Sequence, residues 1–550
     1  MFIPTTKQEM EKLGWKSCDI ILVTGDTYID SPYFGVAIIG HLLLNAGFKV
    51  GIIAQPDIKN INNNIPDIIR LGAPELFWGV TGGCMDSMVS NYTPVGKPRR
   101  NDDLTPGGIN NRRPDRAVIV YCNEIRKYFK NTVPIVIGGL ETSLRRIAHY
   151  DYWDNKIRRS ILFDSKADYL IYGMAEKSIL EFARILKEKK ENFLSEIIKI
   201  KGLCYASKEK PQDYIEIPSY EEVKKDKDKF IKSFRMFYEN NIPGKSKGLV
   251  QKHDTRYLIQ NPPQDLLTTS ELDKIYELDY EYDAHPYYKS IGKIKALDTI
   301  KFSITSHRGC FGECNFCAIS VHQGNIIISR SKESIIREVE KMTKLPNFNG
   351  IIYDIGGPTA NMYAMGCKKF INSHCLKNRC VFPAYCKQLN NSHQAQIELL
   401  KNLKNVKGIK KVFIGSGIRY DLVINDRKYG DLYLEELIEK HVSGQLKIAP
   451  EHSEEHILKF MGKSGKKELL SFIRKYFDIN KKKGKKQFLT YYFIAAHPGC
   501  TKKDMIKLKE FIKRELRFKP EQIQIFTPTP GTWSSVMYWT EKNPWTGEKI

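Results

Sequence analysis

The sequence predicts an α/β protein made of two successive units, because segments typical of strands and of helices alternate in two separate parts of the chain. The strand-like segments are short apolar runs rich in β-branched residues, as is usual for buried parallel strands. At 550 residues the chain also exceeds what one hydrophobic core usually supports. We therefore expect two packed α/β units joined by a connector.

The first unit is predicted over residues 1–206 and has the pattern of a Rossmann-like fold. A helix over 36–45 precedes Gly47, which suits a C-terminal cap, and another helix begins at Glu176. The predicted strands of this unit cover residues 19–24, 49–54, 76–80, 134–139 and 168–173. Charged, proline-bearing sequence over 207–299 then predicts an extended connector.

The second unit, residues 300–550, is predicted to be a partial (β/α)6 barrel. A helix is expected over 332–343. The predicted strands cover residues 301–306, 350–356, 411–416, 445–450, 488–495 and 522–527. In such barrels the active site lies at the carboxyl ends of the strands, so the segments that follow these strands are the first place to look for chemistry.

Composition favours a cytoplasmic globular protein that does not enter a membrane. No apolar stretch is long enough to span a bilayer, and the start, MFIPTTK, lacks the features of a signal peptide. In a reducing compartment the 12 cysteines are expected to be thiols or metal ligands. The formal charge of +24 suits an anionic partner such as nucleic acid, but the lysines are scattered along the whole chain.

A cysteine motif directly follows the first predicted strand of the barrel. It reads GCFGECNFC over residues 309–317 and places Cys310, Cys314 and Cys317 in the spacing Cys-x3-Cys-x2-Cys. Glycines at 309 and 312 permit the tight turns that bring three thiolates around one 4Fe-4S cluster. Three protein ligands for four irons leave one iron open to a small molecule. The alternatives are unrelated buried cysteines or a zinc site that lacks its fourth ligand.

This spacing, with Phe316 just before the last cysteine, resembles the signature of the radical S-adenosylmethionine (SAM) superfamily. The resemblance implies a 4Fe-4S cluster whose open iron binds the amino and carboxylate groups of SAM. One electron, from a reduced flavodoxin- or ferredoxin-like donor, would then cleave SAM to a 5′-deoxyadenosyl radical that acts on an unknown substrate. It also implies that Phe316 contacts the cofactor, that Gly356 and Gly357 receive the SAM amino group, and that Ser416 and Arg419 hold its carboxylate or ribose.

Four further strings are similar to the YgiQ family of radical SAM proteins, and the likeness extends over nearly the whole chain. They are VTGD at 23–26, GIIAQPD at 51–57, GGPTANMY at 356–363 and AHPG at 496–499. The resemblance implies no particular reaction.

The first unit resembles the cobalamin-binding-type domain that precedes many radical SAM barrels. Domains that bind cobalamin place a histidine in an Asp-x-His-x-x-Gly loop after the first strand. Here that loop reads DTYIDSP over 26–32, with Tyr28 at the histidine's position. The sequence therefore argues against a histidine-ligated cobalt and makes cobalamin unlikely, and it predicts a scaffold or a substrate lid. Cobalamin held without that ligand stays open as an alternative.

Other candidate site residues lie within the second unit. An insertion over 364–390 carries four cysteines that could hold zinc or a second iron-sulfur cluster, or remain ordinary thiols: Cys367, Cys375, Cys380 and Cys386. His452 and His497 follow the fourth and fifth predicted strands and are candidate contacts for substrate or SAM.

The sequence thus predicts a radical SAM enzyme that uses a 4Fe-4S cluster. Two alternatives stay open. One is a radical SAM enzyme that modifies RNA, and the other is a non-catalytic iron-sulfur or zinc protein that binds nucleic acid through its lysines.

Overall fold

The computed structural model describes residues 1–58, 66–188, 192–367, 379–518, 520 and 523–550. The chain forms two compact units. Unit 1 contains Met1–Leu266 and Leu278–Lys301, and unit 2 contains Leu267–Glu277 and Phe302–Ile550.

Unit 1 is built on one nine-stranded mixed sheet. Its strands are β1 (Ile20–Thr24), β2 (Ile29–Asp30), β3 (Val50–Ala54), β4 (Phe77–Thr81), β5 (Ile135–Gly138), β6 (His149–Asp151), β7 (Lys156–Arg158), β8 (Tyr169–Ile171), β9 (Leu203–Ser207), β10 (Ile215–Ile217), β11 (Leu249–His253), β12 (Arg256–Gln260) and β13 (Asp283–Ala284). The sheet order is β10-β11-β12-β9-β8-β5-β4-β1-β3, and β2, β6, β7 and β13 form small separate pairs.

The predicted Rossmann-like core of unit 1 is confirmed. Strands β3, β1, β4, β5 and β8 pair in parallel, and all five residues of β1 are buried, as expected for a strand covered on both faces. Gly47 follows the first core helix with φ +84° and its N–H donates to the Leu44 oxygen at 3.0 Å, so it closes that helix as the sequence indicated.

Where we predicted an extended connector over 207–299, the structure instead extends the sheet of unit 1. The hairpin β11–β12 pairs antiparallel with β9, and β10 pairs in parallel with β11. Val250 and Ile259 are buried in these strands. The charged run of residues 224–229 lies where two helices meet, and the Asp226 side chain caps the second of them. The charged residues belong to solvent-facing helices. Their presence in this region is why the strands were not predicted from the sequence.

Unit 2 is a partial barrel, as predicted. Its strands are β14 (Ser303–Thr305), β15 (His307–Arg308), β16 (Ile328–Ser329), β17 (Ile351–Ile352), β18 (Asp354–Gly356), β19 (Gly366–Cys367), β20 (Leu389–Asn390), β21 (Lys411–Val412), β22 (Gln445–Glu451), β23 (Phe488–Ala495) and β24 (Gln524–Ile525). Parallel pairs join β14 to β18, β17 to β21, and β22 to β23 and then β24. A parallel bridge between Ile418 and Ile448 links the third barrel strand to the fourth.

The helices surround these sheets. They are α1 (Lys7–Lys12), α2 (Gly35–Asn45), α3 (Ser87–Asn91), α4 (Ala117–Tyr128), α5 (Leu140–Leu144), α6 (Ile161–Ser165), α7 (Glu176–Glu188), α8 (Phe193–Ile197), α9 (Tyr220–Lys225), α10 (Lys227–Glu239), α11 (Thr269–Tyr276), α12 (Pro286–Lys289), α13 (Leu297–Ile300), α14 (Ile319–His322), α15 (Lys332–Met342), α16 (Gln394–Lys404), α17 (Tyr420–Asn425), α18 (Gly430–Glu436), α19 (Glu455–Met461), α20 (Lys466–Lys482), α21 (Lys502–Phe511) and α22 (Trp533–Thr540). Among the described residues, none of these helices has the length and apolar character needed to cross a bilayer.

A buried ion pair network lies at the carboxyl edge of the unit 1 sheet. The fully buried Arg113 side chain pairs with Asp26 at 2.6 Å and with Asp102 at 2.9 Å, and its Nε donates to the Gly25 oxygen at 3.0 Å. A Cβ at Gly25 would lie 2.1 Å from the Gly82 oxygen, so the loops after β1 and β4 touch backbone to backbone. One cation therefore ties three loop segments together.

We expect Arg113→Met to destabilise unit 1 by about 3–5 kcal/mol, because it leaves two buried carboxylates without their cation. The urea midpoint followed by circular dichroism measures this loss. Arg514→Met is the control, since Arg514 forms only an exposed ion pair with Glu510 at 3.4 Å, worth about 0.5 kcal/mol or less. Equal midpoints in the two variants would contradict the role assigned to Arg113.

Candidate active site

The predicted metal-binding cysteines lie on a loop over residues 307–317, called here the cysteine loop. It begins in β15, which pairs antiparallel with β16. Gly309 has φ +85°, and a Cβ there would lie 2.1 Å from the Ile326 oxygen, so this position requires glycine. The Cys310 N–H donates to the Gly324 oxygen at 3.1 Å, and the Cys317 N–H donates to the Cys314 oxygen at 2.9 Å. These bonds fold the loop back on itself.

All three cysteines of this loop line one cavity of about 190 Å³ at the carboxyl ends of the barrel strands. The other side chains that line it come from the cysteine loop itself, from the segments after β18 and β21, and from the end of β22 and the region that follows it. They include Phe316, Pro358, Thr359, Arg419, Asp421, Glu451 and Lys463. The loop thus faces the strand ends at which barrel active sites lie.

The electrostatics of the cavity oppose ionisation of the Cys310 and Cys317 thiols. Burial raises the pKa of the Cys310 thiol, and burial together with the neighbouring thiolates raises the pKa of Cys317 to about 12. Within the described residues, no three His, Cys, Asp or Glu side chains are placed to hold a single metal ion. Cys310, Cys314 and Cys317, which line the same cavity, are the three thiols that would hold a cluster, with each thiolate on a different iron.

Arg419 is buried beside the cysteine loop, and its guanidinium faces the thiols. Its Nη1 lies 3.6 Å from the Cys314 sulfur, while Nε and Nη2 donate to the two Asp421 oxygens at 3.0 and 2.5 Å. The structure thus places Arg419 at the predicted site but directs it toward a cysteine.

Ser416 does not line the cavity. Its hydroxyl donates to the Asp354 carboxylate, and its N–H reaches the same carboxylate at 3.0 Å. The hydroxyl thus joins the second and third barrel strands, and the contact of Ser416 with the carboxylate or ribose of SAM stays a prediction.

The glycine pair after the second barrel strand serves close packing. A Cβ at Gly357 would lie 2.6 Å from both Nε2 and the backbone oxygen of His307, and one at Gly356 would lie 3.0 Å from the Ala360 Cα. The residues from this segment that line the cavity are Pro358 and Thr359. Gly357 therefore contacts the start of the cysteine loop, which the sequence did not indicate.

Glu451 and Lys463 also line the cavity and were missed by the sequence analysis. Glu451 is buried at the end of β22 with φ +68°, a conformation that costs a non-glycine residue about 1–3 kcal/mol. Burial raises the pKa of its carboxyl, and its Oε1 lies 3.6 Å from the Lys463 ammonium. Lys463 in turn donates to the Ala449 oxygen at 2.6 Å. The one feature of the sequence that could have indicated a role for these residues in the site is their position after a barrel strand.

The two predicted histidines are buried and hydrogen bonded. His497 Nε2 lies 2.7 Å from the Ser534 hydroxyl, and His452 Nδ1 accepts from the Glu454 N–H at 3.1 Å. Burial lowers the pKa of each histidine to about 4. His452 also places Nε2 3.7 Å from the Cys500 sulfur.

Two cysteines of the second set pack beside the cysteine loop. Cys380 and Cys386 pack against the same apolar cluster as Cys310, and the Cys386 N–H donates to the Cys380 oxygen at 2.8 Å. Cys367 lies in β19, opposite Leu389 of β20. Cys375 lies outside the described residues. A metal at this second set stays a prediction.

In unit 1, Tyr28 occupies the position at which cobalamin-binding domains carry histidine. It is fully buried, and its hydroxyl accepts from the Ile3 N–H at 3.2 Å. Burial raises the pKa of Tyr28 well above its usual value. The side chain is thus part of the core.

Two family models match the chain. The one described as "Radical SAM N-terminal" covers residues 2–303, and the one described as "Radical SAM superfamily" covers residues 304–512. The UPF0313 protein FN0734 of Fusobacterium nucleatum is 56% identical over all of this chain and 95% of that protein. A UPF0313 protein of Thermotoga maritima is 48% identical, with the same two coverages.

Solved structures share the fold at low identity. The radical SAM methyltransferase TsrM from Kitasatospora setae, solved with cobalamin and a [4Fe-4S] cluster, matches with a TM-score of 0.52 and 12% identity, over 94% of this chain and 74% of that one. The cobalamin-dependent SAM radical enzyme OxsB, solved with aqua-cobalamin and SAM, matches with a TM-score of 0.52 and 11% identity, over 96% and 55%.

The prediction against cobalamin is wrong. The structures that share this fold are described as cobalamin-bound radical SAM enzymes, and unit 1 matches the N-terminal model of that superfamily. A histidine is only one ligand of cobalt, and a group as large as cobalamin also contacts the protein through many backbone and apolar atoms. The tyrosine in the loop was therefore insufficient ground for the prediction.

Gly357→Ala is expected to reduce iron content after anaerobic reconstitution together with SAM binding, because its Cβ would displace the His307 backbone at the start of the cysteine loop. Overpacking of this kind costs about 1–3 kcal/mol. Iron analysis and SAM titration measure both effects. Gly366→Ala is the matched control, since a Cβ there meets no atom of the described residues within 4 Å. Full iron content with weakened SAM binding would instead support the direct SAM contact predicted from sequence.

Proposed function

We propose that this chain, which belongs to the radical SAM superfamily and within it to the UPF0313 proteins, is an enzyme that reductively cleaves SAM at a 4Fe-4S cluster. Cys310, Cys314 and Cys317 hold the cluster in this proposal. The single observation that carries it is that all three thiols line one buried cavity at the carboxyl ends of the barrel strands. The electron donor is a reduced flavodoxin- or ferredoxin-like protein.

When bound, the cluster would supply the electron that splits a carbon–sulfur bond of SAM. The protein contributes a pocket that carries polar groups beside the three thiols. Thr359 belongs to the segment after β18, and its hydroxyl lies 3.5 Å from the Cys310 sulfur. Glu451, at the end of β22, and Lys463, just after α19, can bind polar groups of SAM as a pair of opposite charges. Phe316 adds an apolar wall.

Alanine at Cys310, Cys314 or Cys317 should abolish the formation of 5′-deoxyadenosine and most visible absorbance of the cluster, because each thiolate binds a different iron. The assay is anaerobic reconstitution with iron and sulfide, reduction in the presence of SAM, and chromatography of the products. Cys84→Ala, which changes an exposed cysteine of unit 1, is the control and should behave like the parent. Continued SAM cleavage by any of the three variants would refute the assignment.

We also propose that unit 1 binds cobalamin, without a cobalt ligand at position 28. Support comes from the shared fold with TsrM and OxsB, whose structures contain cobalamin. The Tyr28 side chain is buried in the core of unit 1 and its hydroxyl is bonded to the Ile3 N–H, so Tyr28 does not serve as a ligand of the cobalt.

Hydroxocobalamin incubated with the full chain should co-elute with it in gel filtration, as measured by the visible absorbance of the corrin. Tyr28→Phe, which keeps the buried ring, should bind an equal amount. Absence of corrin absorbance in the protein peak of the parent would contradict the proposal, and loss of it in Tyr28→Phe alone would make Tyr28 a ligand after all.

A further inference from the structure

We propose that Arg419 tunes the cluster of the proposed function by donating a hydrogen bond to the Cys314 sulfur, and that it thereby raises the reduction potential of that cluster. The inference rests on the proposed function, and it changes the role of a residue that the sequence assigned to the carboxylate or ribose of SAM. Three independent features of the structure direct the guanidinium to this sulfur.

The first feature is the use of the guanidinium nitrogens. The Asp421 carboxylate accepts from Nε and Nη2 in a bidentate ion pair. The remaining nitrogen, Nη1, is directed at the Cys314 sulfur, which lies 3.6 Å away. The Arg419 side chain is 8% exposed and that of Asp421 2%. A planar guanidinium held by two bonds cannot rotate, so Nη1 has one fixed direction.

The second feature is the absence of a side chain at Gly312. A Cβ there would lie 2.5 Å from Arg419 Nη1 and 3.3 Å from the Cys310 sulfur. Gly312 is not among the residues of the cysteine loop with positive φ, unlike Gly309. Backbone freedom therefore does not explain this glycine, and the close approach of the guanidinium does.

The third feature is a clamp on the Arg419 backbone. The Asn361 Oδ1 accepts from the Arg419 N–H at 2.8 Å, and the Asn361 Nδ2 donates to the Arg419 oxygen at 3.0 Å. Nδ2 also lies 3.2 Å from His393 Nε2, and His393 Nδ1 lies 2.9 Å from the Asp426 carboxylate. Because Nε2 accepts from the amide, Nδ1 carries the proton that bonds Asp426. Asn361 and His393 are positioning residues for Arg419.

Hydrogen bonds to the sulfurs and the local charge set the potential of an iron-sulfur cluster. Reduction adds one negative charge, which a donor N–H aimed at a ligand sulfur stabilises. Asp421 offsets much of the guanidinium's charge at a distance, but the Nη1 hydrogen bond acts directly on Cys314. Removal of that donor should therefore make the cluster harder to reduce.

The test is a redox titration of the anaerobically reconstituted full chain, followed by electron paramagnetic resonance, with iron content measured alongside. Arg419→Gln replaces the guanidinium with a shorter, uncharged amide and so removes the Nη1 donor, and Gly312→Ala pushes that donor away while it keeps the arginine. Both should hold the parent's iron content and titrate at a more negative potential than the parent, with the larger shift in Arg419→Gln. Gly366→Ala should titrate like the parent.

Parent-like potentials in Arg419→Gln and Gly312→Ala, with normal iron, overturn the inference and leave the proposed function intact. The same holds if Arg419→Gln weakens SAM binding while its potential is unchanged, because Arg419 would then be a SAM contact. If Arg419→Gln assembles no cluster, the potential of Gly312→Ala decides. A parent protein that assembles no cluster refutes the proposed function and the inference with it.

Discussion

The rest of the site depends on how closely the cysteine loop lies against the segments around it. Almost no side-chain volume separates them. The backbone of Asn315 donates its N–H to the Met461 oxygen at 2.9 Å and accepts from the Ser534 N–H at 2.9 Å through its carbonyl oxygen. The side-chain amide of Asn315 donates to the Phe460 oxygen at 2.7 Å. One residue of the loop is thus bound to the end of α19 and to α22. Elements distant in sequence have to fold before the loop is held.

Glycines make this approach close enough. Gly357 admits His307, and Gly312 admits the guanidinium of Arg419. A single added carbon at either position would meet an atom at less than 3 Å. The three thiols therefore converge on one cavity because neighbouring segments have no side chains at the points of contact.

Charge is arranged around the cavity in compensated pairs. Arg419 is matched by Asp421, and Lys463 by Glu451, and all four are buried. An unpaired charge at such depth would be costly, whereas a pair can remain ionised and still direct individual donors. Burial opposes the ionisation of the Cys310 and Cys317 thiols, and a bound metal cluster would offset that cost. Unit 1 uses the same device at its own sheet edge, where Arg113 joins Asp26 and Asp102.

The sequence by itself determined the two α/β units, the positions of most of their strands and the cysteine spacing, because apolar runs, turn residues and metal-ligand spacing are local patterns. It did not reveal the strands β10 to β12, since their apolar residues are few and lie among charged helices. Tertiary structure alone decided the partners of the site residues. Ser416 is hydrogen bonded to Asp354, Gly357 lies against His307, and Arg419 is directed at Cys314. Glu451 and Lys463 line the cavity. Such contacts join residues tens of positions apart, and their geometry depends on how the barrel strands pair, which no short stretch of sequence encodes.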